Sequence, residues 1–257
     1  MTRLYRQFLF HLKEFSTTPY FIQLVVVGTL SASIIQRLGV RAWGADSYEA
    51  FLRSFMIGMW GSCTAAAGII GFERQKGTLI YLLSGRENPL LAVMTVVMST
   101  SAFGLISLPL SFCLWIIPGT SAISTQTVIM HLPQIIIGSF LLWLSTTVVT
   151  LVIASVFILT PHATTYESLI LVPALFCSGV FTGASRTPAI VNALRFIFPP
   201  TSSVHFLYLD SSSIYHGTFL LDIGLCIATS LLWIIIAYFL GKAALRRAQV
   251  DGTLEVF

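Results

Sequence analysis

The chain has 257 residues, of which 56% are hydrophobic and only 9% charged, and it carries a formal net charge of +4. A soluble globule needs roughly a quarter of its residues charged to solvate its surface, so this composition excludes one. With so few charges, the positive balance reads as Lys and Arg anchoring helix ends rather than as a nucleic-acid surface. The charges cluster, and the uncharged runs between them approach the ~20 residues that a helix needs to cross the hydrocarbon core. These runs are continuous rather than alternating, which selects helices over a barrel. Cys63, Cys113, Cys177 and Cys226 each stand alone in an apolar run, without the spacing of a metal or redox site.

Met1 to Thr18 predicts an amphipathic interfacial helix, with Leu4, Phe8, Leu12 and Phe15 on one face and Arg3, Arg6, Gln7, Lys13 and Glu14 elsewhere. The same charges interrupt the segment too often for a secretory signal. A first span is expected over about Pro19–Leu38, followed by a polar loop with Arg41, Asp46 and Glu49, and a second, rich in small residues, over about Phe51–Phe72. The third runs over about Leu90–Ile117 with a kink at Pro109. The fourth runs over about Leu132–Thr160, stopped by Pro161. The fifth covers about Ser168–Ser185 and the sixth about Thr218–Leu240. Between the last two, 187–216 carries a helical rhythm at Ile190, Val191, Leu194 and Ile197, ended by Pro199–Pro200. It is too interrupted to span and fits a partly re-entrant outer segment.

The fold class expected is therefore an all-α integral membrane protein, 1–257 forming one domain of six transmembrane helices with both termini on one side. With the N-terminus in the cytosol, nine basic residues fall inside (Arg3, Arg6, Lys13, Arg74, Lys76, Arg86, Lys242, Arg246, Arg247) and five outside (Arg37, Arg41, Arg53, Arg186, Arg195), as the positive-inside rule favours.

That orientation leaves 73–89 in the cytosol. There Thr78 is positioned to cap a short helix, Leu79, Leu82 and Leu83 share one face, and Gly85 is a natural stop. A leucine-faced helix fixed to two spans suits docking on a cytosolic partner; the same spacing also fits a solvated turn whose apolar side packs on the membrane.

The run Phe72-Glu73-Arg74-Gln75-Lys76-Gly77-Thr78-Leu79, with Leu82, Leu83 and Pro89 after it, resembles the ABC-2 type permeases, whose fold is that of the type V exporters. The tail from Ala244 to Glu255 resembles the way many such chains end, and the plan of spans agrees over nearly the whole length. The polar run Gly85-Arg86-Glu87-Asn88 departs from the pattern. The resemblance implies that Glu73, Arg74, Lys76, Gly77, Thr78, Leu79, Leu82 and Leu83 couple the chain to a nucleotide-binding subunit, and that Met1–Thr18 is the connecting helix beside them. It also implies a second permease chain, identical or related, with cargo passing along spans two and five. Trp60, Phe176 and Phe181 are candidates to line that path. Glu167, at the cytosolic mouth of span five, is a candidate gate, or is simply favourable at a helix N-terminus. The setting would be a bacterial plasma membrane, with lipid and cytosolic ABC ATPase subunits as partners.

The chain has no phosphate-binding G-x-x-x-x-G-K-[ST] loop, no G-x-S-x-G elbow and no H-E-x-x-H pair. No cofactor or metal is expected on this chain, and ATP and magnesium would bind the partner subunit. Asp222, about one turn inside span six, is expected to face interfacial water. The other readings are a non-transporting membrane assembly or immunity component and an intramembrane enzyme, the latter disfavoured by the missing motifs.

Overall fold

The computed structural model describes residues 2–84, 88–117, 123–160, 163–182, 188–209 and 218–250, which contain helices and no strands. α1 (Thr2–Ser16) lays Phe15 and Leu12 into the core and leaves Arg3, Arg6 and Lys13 exposed. Pro19 then opens α2 (Pro19–Trp43), its fixed φ suiting the first helical position. α2 runs five residues past the expected end, so Arg41 lies in its last turn rather than in a loop. Gly44, at φ 64, stops it by returning its N–H to Val40. Asp46 caps α3 (Ser47–Ala65) by accepting from the Glu49 N–H. A turn at Ala66–Gly68 separates α3 from α4 (Ile69–Gln75), and α5 (Leu79–Ser84) follows.

The third span is in three pieces: α6 (Pro89–Ser101), a 3-10 segment (Ala102–Ile106) and α7 (Ser107–Ile116). The irregularity falls just before Pro109, which offers no N–H to the Leu105 carbonyl one turn back and crowds it. α8 (Thr125–Met130) precedes α9 (Leu132–Phe157), which stops three residues short of expectation. Pro161 itself lies outside the described residues. α10 (Ala163–Cys177) contains Pro173 and gives way to a turn in which Gly179 takes φ 79. α11 (Ala189–Leu194) and α12 (Pro199–Tyr208) come next, then α13 (Thr218–Val250). Pro199–Pro200 therefore start a second short helix as well as ending the first, their ring geometry being native to a helix N-terminus.

Among the described residues, five segments are long and apolar enough to cross a membrane: Pro19–Trp43, Ser47–Gln75, Pro89–Ile116, Leu132–Phe157 and Phe219–Arg247. The fifth expected span is not among them. Its helix has 15 residues, runs through Pro173 and ends just before Gly179 turns the chain.

The first four segments alternate in direction and the last runs parallel to the fourth, so the protein has two distinct ends. At the α5 end, Phe15, Phe21, Ile70, Leu79, Val93, Ile158 and Leu245 form one buried cluster. At the α12 end, Phe51, Phe55, Trp115, Ile135, Leu142, Val204 and Leu207 form another. A third cluster, with Trp60, Phe157, Leu171 and Phe198, fastens α10 against α3 and α9.

Helix contacts are close where glycine permits it. A Cβ on Gly58 would lie 2.2 Å from Thr29 Oγ1 and 3.1 Å from the Thr29 Cα, so α2 and α3 meet almost backbone to backbone. Gly58→Ala is expected to lower stability by about 1–3 kcal/mol through overpacking, whereas Gly28→Ala, with nothing within 4 Å of the new methyl, leaves it unchanged or slightly raised. Thermal unfolding in a neutral detergent compares the pair.

Candidate functional site

The stretch singled out by sequence forms an elbow. α4 ends on Lys76, and Gly77 takes φ 70, a left-handed conformation that L side chains disfavour. The Thr78 N–H bonds the Glu73 carbonyl at 3.0 Å and the Gly77 N–H bonds the Arg74 carbonyl at 2.9 Å. This pair of bonds is the Schellman stop, and it fixes the angle at which α5 leaves α4. The Thr78 carbonyl accepts from the Leu82 N–H and so begins α5. The Thr78 hydroxyl, however, turns back to donate to the Glu73 carboxylate instead of capping α5. A buried carboxylate is thereby satisfied by the same turn that it helps to hold.

Arg74 is buried and reaches out of the elbow altogether. Its Nη1 donates to the Thr160 carbonyl at 2.9 Å and its Nη2 to the Ile158 carbonyl at 2.6 Å. These carbonyls follow the last turn of α9, where a helix has no partners of its own and carries partial negative charge. One guanidinium thus ties the end of the second span to the end of the fourth.

The leucine face does not look outward. Leu79 is 1% exposed and Leu82 packs beside it on the core of the α5 end; Leu83's side chain and Gly85–Glu87 lie outside the described residues. What the elbow presents to solvent is Gln75, Lys76, Thr78 and Tyr81, the last 76% exposed. The Lys76 ammonium lies over the Phe72 ring, 4.4 Å from its centroid. At the far side of the elbow, the Asn88 side chain caps α6 by accepting from the Leu90 N–H, so α5 is tethered by a stop at one end and a cap at the other.

The candidates for a path separate. Trp60 is 4% exposed, covered by α10 and Phe198. Phe176 and Phe181 lie with ring centroids 5.1 Å apart and planes tilted by 33°, with Phe176 59% exposed. Glu167 lies in the second turn of α10, and its side chain is outside the described residues.

Asp222 departs from expectation most. Rather than facing interfacial water, it is fully buried. It accepts from Arg195 Nη2, and its second oxygen lies 2.7 Å from His205 Nδ1. Arg195 follows α11 and His205 sits on α12, so one carboxylate binds the outer short helices to the head of α13. The partners are 27 and 17 positions away, which is why spacing along one helix offers no hint of them. At the same end, Arg37 donates to the Trp115 and Ile117 carbonyls beyond α7, and Arg53 pairs with Glu49 at 3.0 Å. Among the described residues, no three His, Cys, Asp or Glu side chains gather as a metal site.

Removing one partner of a buried ion pair strands the other charge, at a cost of roughly 3–5 kcal/mol, while replacing both with apolar groups is often neutral. Asp222→Asn is therefore expected to destabilise strongly, and the double change Asp222→Leu with Arg195→Met to recover most of the loss; unfolding titrations of the four corners of that cycle measure it. Arg74→Lys loses the forked contact to α9 and is expected to cost about 1.5–3 kcal/mol, by the same measurement.

No family model, curated protein or solved structure matches the chain.

Proposed function

We propose that this chain is the membrane permease subunit of an ABC exporter of the ABC-2, type V kind, driven by separate cytosolic ATPase subunits that bind ATP and magnesium. The observation that carries the reading is the elbow at Glu73–Leu82. A short helix is rigidly set by Gly77, rooted in the core through Leu79, and wired through Arg74 to a second span. A push on such an element moves the ends of α4, α6 and α9 together, which is what transmission from an ATPase to a permease requires. In this reading the partner grips Tyr81, while Leu79 and Leu82 form the root of the lever rather than its contact face.

The distribution of cations supports a cytosolic α5 end. There Lys13, Lys76, Lys242, Arg246 and Arg247 are exposed. At the α12 end, Arg37, Arg53 and Arg195 are occupied by internal partners. In this reading α10 and the turn after it make the sixth crossing: Ile158, five residues before α10 begins, packs in the α5-end cluster, whereas Val180 packs in the α12-end cluster. α11 and α12 form the re-entrant outer segment, consistent with the burial of every α12 residue except His205. The apolar outer faces of α10 and α13 are open to lipid or to a second permease chain. A non-transporting assembly or immunity component remains the other reading, and the test separates the two.

Two experiments test the proposal. In a cysteine-free background, Lys76→Cys should react with a membrane-impermeant thiol reagent in inverted vesicles but not in intact cells; labelling of intact cells overturns the orientation. If a neighbouring reading frame encodes an ABC ATPase, the chain co-expressed with it should retain that ATPase through purification; absence of any such ATPase partner counts against the reading. Tyr81→Ala should lower recovery about tenfold, the factor that ~1.4 kcal/mol supplies, with the amount of inserted chain unchanged. Undiminished recovery and transport would remove the elbow's assigned role.

A further inference from the structure

Beside the elbow lies a half-open cavity of about 150 Å³ between the start of α2 and the α3–α4 turn. Its walls are Phe21, Ala65 and Phe72, and Gly68 adds no side chain to fill it; Tyr20 and Gln75, both exposed, stand at its rim. Apolar cavities of this size stay dry and accept a benzene-sized apolar group. The rim is not apolar. The Lys76 ammonium is held over Phe72, a wall of the cavity, by a cation–π contact. The nearest acidic side chain in sequence, Glu73, is buried and faces Thr78, so it does not oppose an anion there. Lys76 does not itself line the cavity, but its exposed charge sits against the wall residue Phe72 and next in sequence to the lining residue Gln75, where a membrane-spanning segment ends.

We propose that this cavity is a binding site for an acidic phospholipid of the leaflet on the α5 side, with part of an acyl chain against Phe21, Ala65 and Phe72 and the anionic headgroup on Lys76. Charge complementarity favours an acidic lipid over a zwitterionic one, whose own cation would meet Lys76. The open side of the cavity and the exposed Tyr20 give an entry from the bilayer without disturbance of the core. The inference needs only that these helices cross a membrane, and it stands apart from the identity of any ATPase partner. Its location carries a consequence: a lipid wedged between α2 and α4 bears on the segment that ends in the elbow.

The test uses the purified full-length chain alone, in a neutral detergent, mixed with equal amounts of phosphatidylglycerol and phosphatidylcholine of identical acyl chains. Native mass spectrometry counts the lipids retained. The expected result is one tightly held phosphatidylglycerol, preferred about fivefold, the factor one lysine contributes near an anionic surface. Lys76→Glu, at an exposed position, should abolish the preference. Ala65→Leu, which fills the cavity, should release lipid of either kind. Arg246→Glu, an exposed cation elsewhere on the same end, should change nothing. Equal retention of the two lipids by the unaltered chain overturns the proposal. So does a loss with Arg246→Glu as large as that with Lys76→Glu, which would indicate diffuse surface charge. Should Ala65→Leu fail to fold, as judged by circular dichroism and gel filtration, Lys76→Glu alone decides.

Discussion

A helix that ends among apolar side chains leaves carbonyls without partners, and in lipid no water is at hand to supply them. This protein breaks its helices repeatedly, so the constraint is severe, and at the ends of α7, α9, α10, α11 and α12 it is met by a long or polar side chain from another element. Arg37 serves the end of α7, Arg74 the end of α9, and Gln134 the end of α12, where its amide donates to the Phe206 and Leu209 carbonyls. Thr201 serves the Cys177 carbonyl at the end of α10, and Trp233 the Ile197 carbonyl beyond α11. Every one of these bonds crosses from one element to another. The contacts that satisfy the helix ends therefore also fix how the helices stand against each other.

Arg74 has the widest consequence, because it sits within the elbow, three residues before the Gly77 turn. The chain from Ile69 to Leu82 behaves as one unit: a glycine-set stop, a carboxylate satisfied by Thr78, and an arginine clamped on α9. The apolar residues of α5 are spent on anchoring it, so the surface left for a partner is polar and aromatic.

The opposite end treats charge differently. Asp222 draws Arg195 and His205 together and joins α11, α12 and α13, while Arg37 and Arg53 are held by internal partners. α11, which buries none of its own residues, gains a defined position from these charges, which join it to the well-buried α12. Buried ion pairs are weak contributors to stability but exacting about geometry, and here the geometry they specify is the placement of two short helices that periodicity alone could not place. Hydrogen bonds from Tyr208 to Val180 and between Ser145 and Ser203 complete the same seam.

Composition and run length were enough to read a helical membrane protein with four long spans and a long final helix, because hydropathy over about twenty residues is a property of the local chain. The amphipathic α1 and the entry of the third span near Pro89 were legible for the same reason: each depends on neighbours within a turn or two. What the tertiary structure decided was everything that rests on partners far along the chain. The leucines of α5 could have faced either way, and packing against Phe15, Ile70 and Leu245 turned them inward. Asp222 looked like an interfacial acid until residues from another segment closed over it. Trp60 looked available until α10 covered it. Periodicity states which side of a helix is apolar; only the assembled helices state whether that side meets lipid, core or a partner, because burial is a relation between distant segments and not a property of either one.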